Sequence, residues 1–133
     1  APVRSLSGSG VVEAPPVCFR AGVAGGSVTE WENYDSAYTE RYMGTPADEP
    51  EAYRRASALA AVPGLRHKHV LLVHGAMDEN VLLRNTQRVV AAAIKHDIPL
   101  ETFILPDSRH GPGVAAKAVA AKTVAHLVRH LGL

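Results

Sequence analysis

Past Pro63-Gly64 the hydrophobic pattern alternates between two periods, and this order restricts the folds open to the chain. Val70-Leu71-Leu72-Val73 is a continuous apolar run, as expected of a strand covered on both faces. A helix is expected from about Leu82 to His96, with Leu82, Thr86, Val89 and Ala93 on one stripe. Leu100 to Leu105 reads as a further strand, and a last helix over about Val114 to Leu131 puts Val114, Ala118, Ala121, Ala125, Val128 and Leu131 at helical spacing. Strand, helix, strand, helix in about 65 residues is the arithmetic of right-handed crossovers in a parallel sheet. The fold class is therefore α/β.

Upstream the signals are shorter. Residues 1–16 are rich in Gly, Ser and Pro and read as an irregular leader, with the folded part at 17–133. Residues 17–24 look like a short buried strand ending at Gly25-Gly26. Tyr34 to Met43 is expected to be a helix stopped by Gly44, with Pro46 just beyond. Asp48 can cap a second helix that carries Pro50 in its first turn, with Tyr53, Ala56 and Ala60 along one side, until Pro63-Gly64 breaks it.

Composition narrows the function classes. The chain has 133 residues, 47% of them hydrophobic, which supports a packed core rather than disorder. A formal charge of +1 with no run of five like charges gives no reason to propose nucleic acid as a partner. The single cysteine, Cys18, cannot form an internal disulfide and suits an inert core filler. No stretch reaches the ~20 apolar residues that span a bilayer. Ser7, Gly8, Ser9 and Gly10 stand where a signal peptide needs an apolar run. The compartment is left open.

Two loops carry candidate chemistry. Asp78 follows the Val70–Val73 strand in H-G-A-M-D-E-N-V, and His110 follows the next strand in D-S-R-H-G. In open α/β sheets, ligands gather at the carboxyl ends of strands. An acid after one strand and a histidine after the next are in the chain order of the second and third members of a serine hydrolase triad. Asp78 has a purely structural alternative as a cap for the helix beginning near Val81, and His110 has one as a surface histidine. His74, directly at a strand end, suits a buried turn residue. His67 and His69 alternate on one strand face, and His126 and His130 are i, i+4 on a helix. Neither pair has a Cys, Asp or Glu at ligand spacing, so no metal site is expected. Trp31, Tyr34 and Tyr38 form an aromatic stripe that is either core or a flat pocket for a small side chain.

The block W-E-N-Y-D-S-A-Y-T-E-R-Y-M-G at 31–44 closely resembles the signature segment of dipeptidyl-peptidase IV-like enzymes, a branch of the prolyl oligopeptidase family. H-G-A-M-D-E-N-V and D-S-R-H-G resemble that family's acid and histidine segments, and the similarity runs from about Phe19 to Leu133. It implies the C-terminal part of an α/β-hydrolase fold, three mostly parallel strands flanked by helices. It also implies Asp78 as triad acid and His110 as base. Val28, Trp31, Tyr34, Tyr38, Asn80 and Val81 become the walls of a pocket for a proline or alanine side chain, with Asn80 binding substrate and Tyr34 near its amine. The implied reaction is release of Xaa-Pro or Xaa-Ala dipeptides from peptide substrates, without a cofactor, through an acyl-enzyme. Homodimers through the last helix and the strand before it are a further implication.

The chain also departs from the family pattern. No G-x-S-x-G elbow occurs in it. Gly8-Ser9-Gly10 does not qualify, because position 7 is serine and Pro15-Pro16 forbids the helix that should follow. The expectation is a piece of a longer enzyme, inert alone, from a partial sequence or shortened gene model that lacks the parent's N-terminal part. The competing expectation is a non-catalytic domain that binds a partner through an exposed sheet edge or the dimer surface. Lipase or esterase chemistry is a weaker third, against which the 31–44 block speaks.

Overall fold

A computed structural model describes residues 19–133. Three strands form one sheet in the order β1 (Ala21–Gly25), β2 (His69–Gly75), β3 (Glu101–Leu105), parallel throughout. Four helices accompany them: α1 (Ser36–Met43), α2 (Pro50–Ala56), α3 (Arg84–Lys95) and α4 (Ala116–Leu131). The segment 1–16 expected to be an irregular leader, with Ser9, and residues 17 and 18, with Cys18, lie outside the described residues.

The central strand is apolar on both faces because both are covered. Leu72 packs with Val62, Val89, Ala93 and Ile98 under α3. Leu71 and Val73 pack with Leu105 beneath Ala115 and Val119, where α4 begins. β1 is only half-buried, against the expectation of a buried strand, since it is an edge strand among the described residues. It also starts later than expected, at Ala21.

Other expectations shift at element ends. Tyr34 is extended rather than helical; a 3-10 turn covers Trp31–Asn33, and α1 starts after Asp35, whose side chain accepts a bond from the Tyr38 N–H at 2.9 Å. Gly44 ends α1, with φ of 75°. Asp48 does not cap α2; it bonds the Thr45 hydroxyl instead, at 2.7 Å, and Glu49 holds the cap position. α2 stops at Ala56, not at Pro63. Ser57 turns extended and its hydroxyl accepts from the Leu59 N–H, opening a 3-10 run over Ala58–Leu65 that contains Pro63. Tyr53 is buried, whereas Ala56 and Ala60 are exposed. In α3, Thr86, Val89 and Ala93 are buried as their stripe requires, but Leu82 precedes the helix and is exposed.

The largest correction concerns α4. Val114, Ala118, Ala121, Ala125, Val128 and Leu131 are all exposed. Ala115 in the turn just before it, and Val119, Lys122, His126 and His130 in the helix, face the sheet side instead. The physical reason is Glu101 at the start of β3. Its carboxylate needs donors, and it bonds Lys122 Nζ at 3.1 Å, His126 Nδ1 at 3.0 Å and His130 Nε2 at 3.2 Å. The Lys122 bond is the largest influence on Glu101, and with the two histidines it outweighs burial, holding the carboxyl at about 2. Bonds to that acid favour this helix rotation over one covering Ala118, Ala121 and Ala125, each of which has little area to bury, and it leaves Val114, Val128 and Leu131 exposed.

Candidate active site

The loops that follow β2 and β3 cross at the carboxyl end of the sheet. They meet because Gly75 has no side chain: a Cβ there would lie 2.1 Å from the Arg109 carbonyl oxygen and 2.3 Å from that of Ser108. Met77 N–H then donates to the Ser108 carbonyl at 3.0 Å, and Ala76 N–H to Leu105 at 2.9 Å. An Arg109–Glu79 ion pair bridges the same two loops on the outside.

This crossing brings His110 onto Asp78, with His110 Nδ1 2.9 Å from Asp78 Oδ2. Asp78's other oxygen accepts from the backbone N–H groups of Asn80 at 3.0 Å and Val81 at 2.9 Å. The turn-capping and histidine-binding readings of Asp78 are thus both satisfied, one oxygen each. Its side chain is fully buried, while that of His110 is 49% exposed. Burial is the largest influence on Asp78 and pulls its pKa up. The bonds from His110, Val81 and Asn80 together overcome that pull, so the carboxyl sits below its ordinary value. An ionised carboxylate only accepts, so Nδ1 of His110 carries the proton and the lone pair of the neutral ring lies on Nε2.

His74 is buried, as its place at the strand end suggests. Its Nε2 donates to the Val81 carbonyl at 2.7 Å and lies 3.3 Å from Asp78 Oδ2, while Nδ1 meets the Thr86 hydroxyl at 2.8 Å. It braces the Asp78 turn from below. Just past β1, Gly26 supports the other ring: φ is 52°, and a Cβ would lie 3.2 Å from His110 Cε1. Beside it an open cleft of about 230 Å³ is lined by His110, Gly25, Gly26, Val23, Val73 and others along the β1 edge.

The aromatic residues form an adjoining group rather than a wall of this cleft. Trp31 stacks on Tyr38 with ring centroids 6.2 Å apart, and Tyr34 meets both edge-on at 6.1 and 5.7 Å. The Tyr34 hydroxyl reaches Asn80 Oδ1 at 3.5 Å, the outer limit of a hydrogen bond, which ties this group to the Asp78 turn. Val28 is half-buried and Val81 is buried.

Sequence reasoning missed what fixes this segment. Asn85 on α3 is completely buried; its Oδ1 accepts from the N–H groups of Thr29 at 2.9 Å and Glu30 at 3.2 Å. Thr29's hydroxyl returns a bond to the Asn85 carbonyl at 2.9 Å. Arg88 grips the buried Glu30 carboxylate in a two-pronged pair at 2.8 and 2.9 Å. The available signal was a lone amide on the apolar side of α3.

The model of the prolyl oligopeptidase family matches residues 9–133. The chain belongs to the prolyl oligopeptidase family. Within it, dipeptidyl peptidase 4 of Bos taurus is 34% identical over 107 residues, 79% of this chain and 13% of that protein. Prolyl endopeptidase FAP of Homo sapiens is 34% identical over 95 residues, 70% of this chain and 12% of that protein. The crystal structure of Porphyromonas gingivalis dipeptidyl peptidase 4 superposes with a TM-score of 0.78 at 33% identity, covering 84% of this chain and 16% of that one. The chain therefore spans a small part of the relatives it matches, and its sheet and helices are a fragment of an α/β-hydrolase fold of the dipeptidyl-peptidase IV-like branch.

Proposed function

We propose that this chain supplies the acid and the base of a serine peptidase that releases N-terminal Xaa-Pro or Xaa-Ala dipeptides. The observation that supports it most is the Asp78–His110 bond at 2.9 Å, with the acid buried and the ring half-exposed beside an open cleft. Asp78 holds the Nδ1–H tautomer, and Nε2 of His110 takes the proton of a serine hydroxyl and later delivers it to the leaving amine. That serine is contributed by the longer enzyme, since no G-x-S-x-G segment occurs in the 133 residues. Trp31, Tyr34 and Tyr38, with Val28 and Val81, form the apolar receptor for the proline ring or alanine methyl, which asks for contact area rather than hydrogen bonds, and the Asn80 amide binds the substrate by hydrogen bonding.

Hydrolysis of a Gly-Pro chromogenic substrate by the full gene product tests the assignment. H110Q is expected to lower kcat by about 1,000-fold or more, and retained activity refutes the base. The 133-residue chain alone is expected to be inert; fluorophosphonate labelling of Ser9 overturns that part. A second reading, a partner-binding rather than catalytic role, rests on the exposed apolar side of α4, with Val124, Val128 and Leu131. The occupant favoured for that face is a second copy of the protein.

A further inference from the structure

The end of the sheet opposite Asp78 and His110 carries a second cluster of chemistry-bearing side chains. We propose that Glu101, His126 and His130 form a binding site for a divalent ion of the zinc class, which staples α4 to the start of β3. Sequence spacing hid it: the acid lies 25 residues before the first histidine, and only the parallel register of β3 beside β2 brings it beneath the helix.

Hydrogen-bond counting carries the argument. His126 is buried, and its Nε2 lies 3.2 Å from the backbone carbonyl of His69. A carbonyl only accepts, so Nε2 bears the proton, and in the neutral ring Nδ1 keeps a lone pair. Nδ1 faces Glu101 Oε1 from 3.0 Å, so it holds either the second proton of an imidazolium, which donates to the carboxylate, or a lone pair open to a metal. Two acceptors at that distance need a cation between them, a proton or a metal. His130 Nε2 approaches the same oxygen at 3.2 Å, and the three donor atoms lie within 4.8 Å of one another. In tetrahedral zinc, bonds of about 2.0–2.1 Å separate neighbouring ligand atoms by roughly 3.3 Å. Two of the three separations here are already close to it.

The surroundings suit a site held in place. The outer N–H of a ligating imidazole on a backbone carbonyl is the usual orienting contact, and His126 has it on His69. The His130 ring stacks on the His69 ring, centroids 3.8 Å apart and planes 12° from parallel. Lys122 holds Glu101 Oε2 at 3.1 Å and leaves Oε1 to the metal side. Two imidazoles and one carboxylate select zinc, cobalt, nickel or copper over calcium or magnesium. Lys122 and Arg129, whose Nη1 lies 4.0 Å from Oε1, oppose a dication and keep the affinity moderate.

The test is titration of the chelator-treated full chain with Zn2+ alone, read by calorimetry, with Co2+ absorption as a report of tetrahedral geometry. One equivalent is expected to bind with micromolar affinity and to raise the thermal midpoint. E101Q and H130Q, both ligand losses at partly exposed positions, are expected to weaken binding by at least about 100-fold, the upper end of what even an outer-shell partner is worth. H67Q, at an exposed histidine outside the cluster, is expected to leave it unchanged. Substoichiometric binding, affinity unaltered in E101Q and H130Q, or loss of binding in H67Q overturns the proposal. So does a proton that persists on His126 Nδ1 by nitrogen NMR in excess Zn2+, which identifies the proton as the bridging cation.

Discussion

Asn85→Ala removes a side chain that is completely inaccessible to solvent and that organises a segment more than fifty residues away in sequence. Two buried backbone donors, Thr29 N–H and Glu30 N–H, lose the acceptor they share at 2.9 and 3.2 Å. The Leu82 carbonyl loses an N–H donor at 3.2 Å as well. Thr29's hydroxyl keeps its bond to the Asn85 carbonyl, because that acceptor is backbone. A buried polar group left without a partner costs about 1–3 kcal/mol, and the cavity left by an amide is small. The sum is about 2–4 kcal/mol once partial relaxation of the loop is allowed, against a total of about 5–15 kcal/mol for an ordinary domain. Urea unfolding of wild type and N85A measures it, with unchanged slope as the sign that only stability moved. Amide exchange at Thr29 and Glu30 reports whether the segment opens locally. A difference below about 0.5 kcal/mol, with both amides as protected as before, refutes the argument that Asn85 positions this segment.

Further outcomes concern acid stability and assembly. Asp78 has its pKa depressed in the fold, so the stability it contributes is present above the unfolded value of about 3.9 and is lost as pH falls through the folded value. Urea midpoints of the wild-type chain followed downward from pH 6 should fall on that limb, and D78N should be flatter there; parallel curves contradict the ionised-carboxylate reading. The proposal that a second copy covers the exposed apolar side of α4 predicts a dimer of the full gene product that V128E converts to monomer in sedimentation velocity, while a species unchanged by V128E excludes that face as the interface.

The candidate site was more legible than the packing around it. Asp78 and His110 could be read because each follows an apolar run in a short loop, and a parallel sheet puts all such loops at one end. Helix ends moved where local side-chain bonds intervened, as Asp35 did at the start of α1 and Ser57 at the end of α2. Gly75's role was invisible because the atoms that exclude a side chain there are carbonyls more than thirty residues downstream. The helix rotation of α4 was misread, since periodicity records which residues share a stripe and says nothing of an acid waiting beneath.

From the sequence alone followed the element order, the α/β class, the family, and the placement of Asp78 and His110 in loops after successive strands. Those are local properties: periodicity, loop position and motif. Tertiary structure alone decided that Oδ2 of Asp78 meets Nδ1 of His110, that Asn85 and Arg88 anchor residues 29 and 30, and that Glu101 sits among three basic side chains of α4. Hydrogen bonds between elements depend on register and helix rotation, and the whole set of buried polar groups settles these together as each seeks a partner.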